Sequence, residues 1–206
     1  MSNVKEERYS DQMVVRMAFT GVMAAIVCII TTFHISVGQS RLHFANSMCL
    51  LSGLLLGPVW GGTAAGLGSA INDIISGEYG FVDALITFAT KFAMAWVCGL
   101  LFRLWVVKPG RLEKPWNERL PLVAAACAAG ALSYVALYIL RSWIFLRFVT
   151  PVPPETIPTV LWTNLLASLF NAGFAVVTAP IFYHAVRPAL KAGGLLTRLE
   201  GQKNAA

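Results

Sequence analysis

Charge is what this sequence has least of. Asp, Glu, Lys and Arg make up 13% of its 206 residues, about half the share of an average soluble domain. So little charge cannot cover the surface of a soluble domain of this size. The 57% hydrophobic content excludes disorder for the bulk of the chain. Cysteine is scarce as well: Cys28, Cys49, Cys98 and Cys127 lie far apart, inside apolar runs, with no C-x-x-C pair. That excludes a disulfide-stapled secreted domain and leaves zinc and thioredoxin-like chemistry without support, so no metal site is expected.

What is present is apolar sequence in long runs, with a mean hydropathy of +0.66. A membrane-spanning helix needs about 20 mostly apolar residues. Six candidates can be read: residues 13–32, 44–56, 59–76, 81–107, 120–140 and 159–186, the fifth extending toward Trp143, Ile144 and Phe145. The second is short for a span. Charge supports it nonetheless. With six spans, 12 of the 16 Lys and Arg residues fall on one side, only Arg41, Arg141 and Arg147 fall on the other, and Lys91 is intramembrane. That bias marks the basic side as cytoplasmic. The net charge of +6 is spread over short segments between apolar runs, which argues against a nucleic-acid partner. The expectation is an all-α integral membrane protein, a compact bundle of six transmembrane helices with both termini cytoplasmic. Residues 1–12 form a cytoplasmic N-terminal segment, residues 13–187 a single membrane domain and residues 188–206 a cytoplasmic tail. Residues 34–43, 77–80 and 141–158 then lie outside, and Gly57-Pro58 makes a tight inner turn.

Polar groups in hydrocarbon are costly and normally face the bundle interior. Their spacing here is helical. Ser69, Asn72, Asp73 and Ser76 share a face of the third helix, and Asp83, Thr87 and Lys91 a face of the fourth. Tyr134, Tyr138 and Arg141 do so on the fifth, and Asn164, Ser168 and Asn171 on the sixth. All four stripes fall in the outer half, with Lys91 about 15 Å deep. Below them, residues 92–102, 122–132 and 172–177 are apolar. An outward-open polar chamber with an apolar floor suits a solute arriving from outside and not a pore, which needs polar lining throughout. The same side chains also serve as hydrogen-bonding glue between helices. Lys91 needs a partner, which Asp73, Asp83 or a ligand carboxylate could each supply. Tyr138, Trp143 and Trp162 could stack on a ring or cover an alkyl chain. The first outer loop, with His34, Gln39, Arg41 and His43, and the proline-stiffened loop at 141–158 are candidate lids. Small residues at Ala18, Gly21 and Ala25, and again at Gly61, Gly62, Ala65, Gly66 and Gly68, permit close helix contact, internal or with a partner protein.

The runs Asn46-Ser-Met-Cys-Leu-Leu-Ser-Gly-Leu-Leu-Leu-Gly57-Pro58 and Gly61-Gly-Thr-Ala-Ala-Gly-Leu-Gly-Ser-Ala-Ile-Asn-Asp73, with Ile86-Thr-Phe-Ala-Thr-Lys91, resemble the substrate-binding S components of energy-coupling factor (ECF) transporters. Size and span number are similar over nearly the whole chain. The resemblance implies a six-helix vitamin-binding subunit of a bacterial cell membrane, holding its ligand near the outer face with helices four to six and the first outer loop. It also implies a transmembrane coupling subunit and two cytoplasmic ATPases as partners. The family's Ala-x-x-x-Ala contact for the coupling subunit has its nearest match at Gly21-x-x-x-Ala25, one turn after Ala18. This chain lacks a G-x-x-x-x-G-K-[ST] loop, so ATP would be hydrolysed on partner subunits and no cofactor is expected to bind here directly.

The leading expectation is therefore a substrate-binding subunit of an ATP-driven importer. Candidate ligand contacts are Lys91, Asn72, Asp73, Thr87, Tyr138, Arg141, Asn164, Asn171, Trp162, His34 and Arg41. Lys91 and Arg141, with Arg41 as a further candidate, favour a carboxylate-bearing vitamin, and pantothenate, folate, biotin, riboflavin and pyrimidine precursors all stay open. A stand-alone secondary transporter is the alternative, disfavoured by the apolar inner half and the lack of inverted repeats. An intramembrane hydrolase would have to bring Ser69 and His184 together from opposite depths.

Overall fold

A backbone in hydrocarbon must satisfy its own hydrogen bonds, so the apolar runs of a membrane protein fold as helices. A computed structural model describes the backbone of residues 2–37, 40–77, 80–108, 110–112, 114–149 and 152–195, with side chains apart from those of residues 2–11 and 34–43. The order is α1 (Ser2–Thr32), β1 (His34–Val37), β2 (Ser40–His43), α2 (Ala45–Leu56), α3 (Pro58–Ser76), α4 (Phe81–Trp105), α5 (Trp116–Ile144) and α6 (Ile157–Ala192). A π-helical turn, Phe145–Val149, extends α5. Most of the expected tail, residues 196–206, lies outside the described residues.

Among the described residues, four helical stretches are long and apolar enough to cross a membrane: Gln12–Thr32, Phe81–Trp105, Trp116–Val149 and Ile157–Ala192. Six helices are present among the described residues, as expected, with three departures. The loop at 34–43 is an antiparallel hairpin pairing His34 with His43 and Val37 with Ser40. The presumed outer loop at 141–158 is shorter, because α5 and its π-helical turn run to Val149 and α6 begins at Ile157. Pro158 sits in the first turn of α6, where its missing N–H costs nothing. The third departure is α2, which does not cross the full depth. Its 12 residues rise about 18 Å.

Around α2 the other helices form an arc in which α1 packs on α3, α3 on α4, α4 on α5 and α5 on α6. All five also touch α2, and 11 of its 12 residues are buried. A helix enclosed by protein has no need to match the hydrocarbon thickness. Its neighbours fix its level. Lys91, ten residues into α4, meets Asn46 in the first turn of α2, while Arg103 near the end of α4 meets the carbonyl of Leu56 at 3.2 Å. The ring of Phe44, just before α2, packs edge-on against Phe174, deep in α6, at 4.7 Å, and Ser47 Oγ lies 2.7 Å from Thr178 Oγ1. So α2 fills only the half of the bundle nearer the α4–α5 loop. In the other half the chain runs as the β1–β2 hairpin, whose second strand packs along α6.

The apolar core surrounds α2: Leu50, Leu51, Leu54, Leu55, Met94, Cys98, Phe102, Val123 and Cys127 are all buried there. Close approach is bought with glycine. A Cβ on Gly99 would sit 2.7 Å from the Gly53 carbonyl oxygen. Gly57 turns the chain from α2 into α3 at φ 80°, a conformation natural only to glycine. On α3, Gly62 and Gly66 seat the rings of Phe92 and Phe88, and Gly68 meets α1 at Ala24 and Val27. The small residues of α3 thus serve contacts within the chain. Those of α1 do not: Ala18, Gly21 and Ala25 are exposed, and nothing lies within 4 Å of the Cβ position of Gly21.

Candidate functional site

Lys91 is 4% exposed. A buried ammonium must find acceptors or a π face, since an unpaired charge away from water is costly. It donates to Asn46 Oδ1, and its Nζ lies 3.9 Å from the centroid of the Tyr134 ring. Lysine is a donor only, so Asn46 must present its oxygen. Its Nδ2 is left buried and without a partner among the described residues. Tyr134 in turn stacks on Tyr138, centroids 5.9 Å apart and planes 21° apart, as the i, i+4 spacing allows. Cys49 Sγ lies 3.9 Å from Ser69 Oγ beside them. The first turn of α2 is therefore the bottom of a polar cluster contributed by α2, α3, α4 and α5.

Two turns above Lys91 on the same face of α4, Asp83 forms a salt bridge with Arg141 of α5. The Arg141 guanidinium also lies 4.6 Å from the centroid of Phe145. Between these levels Thr87 is half-buried, its carbonyl accepting from Thr90 Oγ1 at 3.1 Å. On α6, Asn164, Ser168 and Asn171 are all buried. Asn164 Nδ2 donates to Ser142 Oγ of α5 at 3.5 Å, and Asn171 stands one turn before Phe174, which packs beside the start of α2.

Asn72 and Trp162, also anticipated for the site, lie apart from this cluster. Asn72 donates to the Cys28 carbonyl at 3.2 Å and to Thr32 Oγ1 at 2.9 Å, stitching α3 to α1. Asp73 is buried on α3, its carbonyl accepting from Ser76 Oγ at 3.0 Å. Trp162 is 62% exposed on the surface of α6. The side chains of His34 and Arg41 lie outside the described residues, though their backbones form the hairpin over this end of the bundle. Two residues that the stripes did not single out as ligand contacts complete the cluster, Asn46 and Tyr134. Tyr134 shared a stripe with Tyr138 and was there to be chosen. Asn46 gave no periodic signal, because it is alone at the start of an apolar run.

The arrangement offers hydrogen-bond donors and acceptors, stacked phenol rings and one sheltered cation, which suits a polar ring system. A family model for the ECF-type riboflavin transporter S component matches residues 11–188. The chain belongs to this family. No curated protein matches it. As an ECF S component the chain is a multi-pass membrane protein, a vitamin-type substrate-binding subunit of a transporter and not an enzyme. The geometry agrees that hydrolysis by Ser69 and His184 has no basis, since Ser69 packs on Cys49 while His184 stacks on Trp116 at the other end of the bundle. S components in general work with a transmembrane coupling subunit and ATPases.

Proposed function

We propose that this S component binds riboflavin in the polar cluster above α2 and delivers it to an ATP-driven importer in a bacterial cell membrane. The observation that carries the reading is the convergence of Lys91, Asn46, Tyr134 and Tyr138 at the mid-depth start of α2, in a chain matched by a riboflavin transporter S-component model. An isoalloxazine ring presents carbonyl and nitrogen acceptors to Lys91 and to the unpartnered Nδ2 of Asn46, and flat faces to the tyrosines. Its polyol chain can exchange hydrogen bonds with Thr87, Asn164 and Asn171. Asn72, Asp73 and Trp162 stay candidates for the periphery, with His34 and Arg41 in the hairpin above.

A carboxylate-bearing vitamin has less support. Of the cations that suggested it, Arg141 is engaged by Asp83, and Lys91 already rests on Asn46 and Tyr134. A neutral heterocycle asks only for hydrogen bonds.

In this reading the hairpin end faces outward, because the opposite end carries Arg103, Lys108, Arg111, Lys114 and Arg119. Ligand enters beneath the hairpin and is held above the apolar floor around α2. Release inward requires the partners. The exposed small surface Ala18, Gly21 and Ala25 takes the coupling subunit, and the two ATPases hydrolyse ATP. Co-reconstitution of the four subunits in vesicles should give ATP-dependent riboflavin accumulation. Uptake by this chain alone on an ion gradient would replace the reading with that of a secondary transporter.

A further inference from the structure

At the opposite end of the bundle, away from the ligand cluster, Arg119 lies in the first turns of α5 and is only 8% exposed. Its Nε and Nη1 are buried and have no hydrogen-bond partner among the described residues, and neither has Nε of Arg187 on α6. On α6, Tyr183 and His184 both pack on the Trp116 ring, and Arg187 follows them by one turn, which brings it near the indole that the Arg119 guanidinium overlies. The acid next in sequence is already engaged: Glu118 bridges to Lys114 at 3.1 Å. Trp116, the first residue of α5, holds the position. It stacks on His184 at 4.5 Å and lies 5.6 Å from the Arg119 guanidinium carbon. No side chain caps the α5 N-terminus, where the helix dipole favours an anion.

Two arginines with idle N–H donors at one corner of the bundle, beside an uncapped helix N-terminus, are suited to an anion. Arginine's planar fork is suited to phosphate. The surroundings favour one source of it. Leu120 on α5, and Val177 and Ile181 on α6, are exposed and apolar on the membrane side of this cluster. A molecule with a phosphate head and acyl chains fits both parts at once. We propose that Arg119 and Arg187 form a binding site for the phosphate of an anionic membrane lipid, placed in the leaflet at the α4–α5 loop end. The site is separate from the ligand cluster and does not depend on which vitamin the chain carries.

The test uses the full chain in nanodiscs of phosphatidylcholine, alone or mixed with phosphatidylglycerol. Thermal unfolding is followed by tryptophan fluorescence, and retained lipid is counted by native mass spectrometry. In wild type, phosphatidylglycerol should raise the midpoint and remain bound. Arg119→Gln and Arg187→Gln should lose more than half of that shift together with the retained lipid, and Arg119→Lys should fall between. In pure phosphatidylcholine the expected order reverses: Arg119→Gln unfolds no earlier than wild type, because it removes a buried charge whose Nε and Nη1 have no partner among the described residues. If Arg119→Gln does not fold, Arg187→Gln at its more exposed position carries the same comparison. An equal shift in wild type and both variants overturns the proposal. Equal stabilisation by inorganic phosphate in phosphatidylcholine discs would assign the site to a soluble anion and also overturn it. So would a variant defect that appears only when the coupling subunit is present, which would mark a protein carboxylate as the partner.

Discussion

Lys91 of α4 donates a hydrogen bond to Asn46, 45 residues earlier in the chain, at the first turn of α2. The pair ties the start of a half-length helix to the middle of a full-length one. It thereby sets both the floor of the polar cluster and the height at which a ligand would rest.

Removing either partner should weaken ligand binding. Lys91→Met takes away a charge-assisted hydrogen bond of about 1.5–3 kcal/mol, roughly a 10- to 150-fold rise in Kd. Asn46→Leu should act in the same direction while leaving a buried ammonium short of an acceptor, so its unfolding midpoint should drop further than that of Lys91→Met. The double variant should recover stability but not affinity, because replacing a buried polar pair by apolar groups is often tolerated. Flavin titration and thermal unfolding of the three proteins check this, and wild-type affinity in folded Lys91→Met would remove Lys91 from the site.

The Asp83–Arg141 pair is partly exposed, with 23% of each side chain accessible, so a double-mutant cycle should return about 0.2–1 kcal/mol of coupling. Asp83→Asn and Arg141→Gln should change affinity alike, and the exchange Asp83→Arg with Arg141→Asp should restore most of the loss. An affinity that collapses with Arg141→Gln and is untouched by Asp83→Asn would mean that Arg141 serves a ligand carboxylate instead.

Glycines of the two surfaces should behave oppositely. Gly99→Ala forces α4 away from the Gly53 carbonyl and should cost about 1–3 kcal/mol as overpacking. Gly21→Leu meets open space and should leave the unfolding midpoint unchanged while lowering the yield of complex with the coupling subunit in pull-down. A normal complex from Gly21→Leu would move the partner contact elsewhere.

Much of this fold is legible because lipid is a strict solvent. Long apolar runs can only be helices there, so α1, α4, α5 and α6 follow from run length, and the Gly57-Pro58 turn from its two residues. The level of α2 was hidden. Residues 44–56 read as apolar whether they face lipid or protein, and only the packing of five helices on α2 shows that it faces protein. The hairpin was hidden as well, since four-residue strands leave too little alternation to distinguish from a loop. Helical spacing found Lys91, Tyr138, Asn164 and Asn171 on buried or half-buried faces, because polar groups in a membrane rarely point outward. It could not assign partners. That Arg141 meets Asp83 while Lys91 meets Asn46 is decided by how α2, α4 and α5 lean together. Trp162 shows the reverse limit: an aromatic near a helix end reads the same whether it lines a site or sits in the interfacial belt, and here it is exposed.

Binding of riboflavin to the purified chain, without any partner subunit, is the most direct test. Flavin emission should be quenched as protein is added, through the tyrosines beside Lys91, saturating at one flavin per chain, and Lys91→Met should shift the curve to higher concentration. Undiminished flavin emission over folded wild-type protein would contradict the assignment of this cluster as a flavin site.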